Sequence, residues 1–106
     1  MSVPASRITD AGEHVLRLSR QMREAARTGA WEHLAELHVQ REPVLRALCE
    51  GRLLPGERLR VVLERVLELD RETVACVLAA REEAQAALRR LSRGREAVAA
   101  YAGPLP

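Results

Sequence analysis

Apolar residues recur along this chain at steps of three and four, the period of an α-helix. The first run is Ala11, Val15, Leu18, Met22 and Ala25-Ala26. At 100° per residue these fall in one arc of roughly 100°, a single apolar stripe. Asp10 and Glu13 have capping-box spacing ahead of the run, and Gly29 is a stop signal behind it. A helix over about 10–28 follows. A second stripe, Trp31, Leu34, Leu37, Val44, Leu45 and Leu48, predicts a helix over 30–50. Pro43 lies inside it and predicts a kink or a short break. Gly51-Arg-Leu-Leu-Pro-Gly56 reads as a connection. The third helix starts near Glu57 and runs to Arg93, where Gly94 interrupts it and leaves a short piece from Arg95 to Tyr101. At the standard rise it reaches about 55 Å, against about 30 Å for the first two, so it should overhang them. The pattern is that of an all-α fold. It predicts an antiparallel three-helix bundle with a long third helix, in a single domain over 1–106.

Composition sharpens this picture. The chain is 106 residues long, 47% apolar, 30% charged and only 2% aromatic. Ala, Leu, Glu and Arg dominate, and all lose little rotamer freedom in a helix. A core without Phe must be built from Leu, Val and Ala, which leaves little material for an aromatic-lined pocket. Every one of the 17 basic residues is Arg, yet the formal net charge is only +2, so a dedicated nucleic-acid binder is not expected. Arg89, Arg90, Arg93 and Arg95 cluster near the end of the third helix, where cations suit the last carbonyls, and no aromatics stand among them to stack bases. Cys49 and Cys76 lack metal spacing and read as free thiols of a reducing cytoplasm. The longest apolar run, Val74 to Ala80, is far too short to span a membrane, and no signal peptide opens the chain.

Catalytic signatures are missing. His33 and His38 are five apart, on different helix faces, and there is neither HExxH nor a Gly-rich phosphate loop nor GxSxG. No enzyme activity, metal or cofactor is expected.

Two charged residues stand where the stripes call for apolar ones. Arg41 lies between Leu34/Leu37 and Leu45/Leu48, and Asp70 lies among Leu63, Val66, Val74 and Val77. Antiparallel pairing about the 51–56 connection brings position 41 opposite about 66, within roughly one turn of Asp70. A buried charge needs a partner, so an Arg41–Asp70 ion pair that sets helix register is predicted. Trp31, the largest apolar group, is expected to seal one end of the core.

The third helix carries an apolar arc of roughly 200° between Leu59 and Ala80. One edge is Leu59, Val62, Val66, Leu69 and Thr73; the other is Leu63, Leu67, Val74 and Leu78. Two-sided packing in a bundle accounts for such an arc. So does a groove on the second edge for a partner's amphipathic helix, with Arg60 and Arg71 at its rim. Self-association along the same stripe into a homo-dimeric scaffold is a further alternative.

The order of these features resembles the FliT-type flagellar export chaperones. The matching stretches are Leu18-Ser-Arg-Gln-Met22 with Ala25-Ala26, Gly29-Ala-Trp31-Glu-His-Leu34, and Arg41 with Leu45 and Leu48. They continue with Val66-Leu-Glu-Leu-Asp70-Arg-Glu72, Gly94-Arg-Glu-Ala97 and Ala100-Tyr101. Chaperones of the FlgN type, which serve the hook–filament junction proteins, share the small helical build. The resemblance implies a cytoplasmic chaperone of flagellar type III export. It would bind the C-terminal helical segment of the filament-cap protein, keep it unassembled, and dock it at the export ATPase and the export gate. Ala30 stands where the family usually has an acidic residue. The chain also stops just after Ala100-Tyr101, where longer members continue into a further helix, so self-masking and control of transcription are not expected here.

Overall fold

The computed structural model describes residues 5–51 and 56–102, and side chains from residue 11 onward. Three α-helices account for them: α1 (Ala5–Thr28), α2 (Trp31–Glu50) and α3 (Gly56–Tyr101). The all-α reading stands, with three changes at element ends and breaks.

Helix α1 begins five residues before Asp10, a stretch that holds no Gly or Pro to stop it. Asp10 is therefore interior to α1 and no cap, and its side chain lies outside the described residues. Helix α2 runs unbroken through Pro43. Proline removes one backbone donor, but buried Leu37 and Arg41 hold the helix before it and buried Leu48 holds it after. Helix α3 likewise continues through Gly94. A single glycine costs a helix about 1 kcal/mol relative to alanine, and here it stands between long runs of Ala, Leu, Arg and Glu.

The chain separates into two compact units, residues 1–76 and 77–106. The first is a three-helix bundle. Its inward positions alternate by three and four in every helix: Gly12, Val15, Ser19, Met22 and Ala26 in α1; Leu34, Leu37, Arg41, Val44 and Leu48 in α2; Leu59, Val62, Val66, Leu69 and Thr73 in α3. A 3.5-residue repeat keeps one seam facing the neighbours over several turns. Val15, Leu48 and Val66, one from each helix, form one core cluster, with Val44, Leu45, Leu59 and Val62 packed against it. A second cluster joins Leu18, Met22 and Ala25 of α1 to Leu37 of α2. Helices α1 and α2 approach closely along their backbones, which the buried Gly12, Ser19, Ala25 and Ala26 permit.

The α1–α2 turn is set locally. Gly29 has φ of 74°, and the Ala30 amide donates to the Ala25 carbonyl at 2.8 Å while the Gly29 amide donates to Ala26 at 3.4 Å. This is the pair of reversed bonds that closes a helix with a left-handed residue. Trp31 opens α2 and is 43% exposed, so it does not seal the core. Helical Cα–Cβ bonds tilt toward the N-terminus, and at the first position that aims the indole back over Gly29. The small residues Ala25 and Ala30, with Leu34, close that end instead.

Gly29→Ala would force a side chain into the left-handed region, at a cost of about 1–2 kcal/mol. Urea denaturation of the variant should show a stability loss of that size with helical content preserved.

Candidate functional site

Helix α3 of the first unit shows two unlike faces. Val66, Leu69 and Thr73 are buried, and the Thr73 hydroxyl is satisfied by donating to the Leu69 carbonyl at 3.0 Å. Leu59 and Val62 are half-buried beside them. On the other edge Leu63 is half-buried, while Leu67 is 55% and Val74 53% exposed. The bundle thus uses one edge of the wide arc and leaves the other in solvent. Arg60 and Arg71 are both exposed. Arg60 donates to Glu64 one turn on at 3.0 Å, and Arg71 makes no ion pair among the described residues. Leu78 belongs to the second unit, where it too is exposed. Tyr101, part of the Ala100-Tyr101 stretch that carries the resemblance, is 98% exposed at the end of α3 in that same unit.

An apolar notch of about 270 Å³ between α1 and α3, lined by Leu16, Val61 and Val62 with Glu13, Glu57 and Arg58 at its rim, was not anticipated from the sequence. Val61 falls outside both edges of the α3 arc, so periodicity carried no signal for it.

What holds the α3 face in place is a polar chain across all three helices. Arg41 of α2 is buried and its Nη1 donates to Asp70 Oδ1 of α3 at 2.6 Å. The same nitrogen donates to Ser19 Oγ of α1 at 3.2 Å, and that hydroxyl donates to the Val15 carbonyl at 2.8 Å. The two charged side chains differ in setting, Arg41 9% exposed and Asp70 32%. Asp70 keeps contact with water at the boundary between the buried and the exposed edge. Arg23 of α1 makes a second link, donating to Glu72 of α3 at 3.0 Å near the surface. Ser19 was not singled out by sequence reasoning, although a polar residue in the α1 stripe was the available signal.

No group of three His, Cys, Asp or Glu side chains is placed to hold a metal ion among the described residues, and Cys49 and Cys76 are free. No described helix is long and apolar enough to cross a membrane. The outer edge of α3 in the first unit is an apolar strip, exposed at Leu67 and Val74, with exposed Arg60 and Arg71 beside it.

Removing one partner of a buried ion pair leaves the other charge uncompensated. Asp70→Leu should therefore destabilise the bundle by about 2–3 kcal/mol in urea titrations, with Asp70's partial exposure holding the loss below the fully buried value. Arg41→Met should also destabilise, and the double variant should lose less than the two single losses summed.

The profile of the family described as Flagellar protein FliT matches residues 10–103. No curated protein and no solved structure matches the chain. The matched span takes in all three helices from Asp10 onward, with the Arg41–Asp70 link and both edges of α3. On that match, this chain belongs to the FliT family of flagellar proteins.

Proposed function

We propose that this protein is a flagellar export chaperone that holds the C-terminal helical segment of the filament-cap protein along the outer edge of α3. The observation that carries the reading is the exposure of Leu67 and Val74 on a helix whose opposite edge is already committed to the core. Free amphipathic helices associate with one another through their apolar stripes. A chaperone that covers such a stripe needs a matching strip, and Leu63, Leu67 and Val74 supply one. Arg60 and Arg71 stand at its margin to pair with acidic residues of the bound helix. Coverage of this kind keeps the cap protein unassembled in the cytoplasm until it reaches the export ATPase and the export gate. The family is one of chaperones and not of enzymes, in keeping with a strip that binds and does no chemistry.

Leu67→Asp and Val74→Asp test this. A buried aliphatic side chain contributes about 1.5–3 kcal/mol, so each variant should weaken binding of the cap-protein C-terminal segment by tenfold or more in calorimetry. Circular dichroism should show unchanged helicity, because both positions are more than half exposed. Undiminished binding, or loss of the fold together with binding, would overturn the assignment of this edge.

A further inference from the structure

Helix α2 has an exposed face of its own in the first unit. Trp31 is 43% and Val39 70% exposed, and Ala35 between them is exposed too. They stand four residues apart, so they form one ridge about 12 Å long. The buried residues of α2 are Leu37, Arg41 and Leu48, and neither Trp31 nor Val39 joins a core cluster. Two shallow depressions follow the ridge. Gly29, Trp31, Glu32 and Glu36 line one, and Ala35, Glu36, Val39 and Gln40 line the next. Glu36 borders both, so the two adjoin. We infer that this face binds a basic amphipathic helix of another protein. Apolar side chains of that helix would lie on the Trp31–Val39 ridge, and its Arg or Lys side chains beside Glu32 and Glu36.

Charge selects this occupant. The exposed charges of α2 are Glu32, Glu36, Glu42 and Glu50 against Arg46 alone, in a chain whose net charge is +2. Glu42 is already paired with Arg46 at 3.0 Å. Glu36 has only His33, at 3.7 Å, and Glu32 makes no ion pair among the described residues. These two glutamates stand one position on from Trp31 and Ala35, on one flank of the ridge. Cations four residues apart on a bound helix match them, and a further one can lie on the indole face. The same carboxylates repel phosphate, whether of nucleic acid or of an anionic membrane.

The α1–α2 turn places the indole in advance. A Cβ on Gly29 would lie 3.9 Å from Trp31 Nε1, so the ring is laid over the turn. A ring already placed loses less freedom when a partner covers it. Tryptophan is also among the residues that most often dominate binding energy at interfaces.

Trp31 is the chain's one tryptophan, so its fluorescence reports on this face. The probe is a synthetic helical peptide without aromatic residues, with leucines four apart and an arginine after each. Its control carries glutamates in place of the arginines. Added to the full chain, the arginine peptide should shift Trp31 emission to shorter wavelength and saturate, and the glutamate peptide should not. Added salt should weaken the effect. Glu32→Arg with Glu36→Arg should weaken the arginine peptide about tenfold or more and admit the glutamate peptide, with helicity retained. Val39→Ser should weaken the arginine peptide as well. Leu67→Asp should leave it unchanged, which separates this face from the strip on α3. No shift, an equal shift with both peptides, or full binding by the charge-reversed variant would overturn the proposal. So would displacement of the arginine peptide by the cap-protein segment, or altered sedimentation of the protein alone on charge reversal, since either puts a different occupant on this face.

Discussion

The bundle depends on one buried guanidinium. Arg41 occupies the middle of the inward seam of α2, where an aliphatic residue would pack without cost. Instead its Nη1 reaches Ser19 of α1 and Asp70 of α3 together, so one charged group touches all three helices. Leu/Val seams of equal spacing can slide by a heptad and still bury apolar area. A charge with one carboxylate in reach cannot, because every other register leaves it unpaired. Specificity of register, more than stability, is what such a group contributes.

That register decides which edge of α3 is free. With Asp70 drawn to Arg41, Val66, Leu69 and Thr73 turn inward, and Leu67 and Val74 are left facing water. A rotation of α3 by one residue would exchange the two edges. The polar link thus holds the Leu67 and Val74 edge outward as well as holding the bundle together. An apolar strip kept in solvent is a liability for a protein with no partner, and it is functional for one whose work is to cover a partner's helix. The near-absence of aromatic residues fits the proposed function, since an exposed Leu/Val strip suits a helix laid along it better than an enclosed small ligand.

Local signals were legible wherever the physics was local. Helix positions followed from apolar period, the α1–α2 turn from Gly29, and the two misfit charges from their place within apolar stripes. Signals weighed alone misled where neighbours outvoted them. Pro43 and Gly94 are breakers by propensity, yet packing on both sides of Pro43 and strong helix formers around Gly94 carry the helices through. Trp31 looked like a core residue by size, and its place on the first helical position turned it outward.

By itself, then, the sequence determined the helical class, the three helices and their turn, and the presence of a charge that had to find a partner. These depend on period, backbone conformation and the cost of burying a lone charge, all of which act within a few residues. The tertiary structure alone decided which edge of the α3 arc is core and which is surface, and that Ser19 joins Arg41 and Asp70. Those outcomes depend on how three helices rotate against one another, and a wide apolar arc is compatible with either rotation until the buried charge selects one.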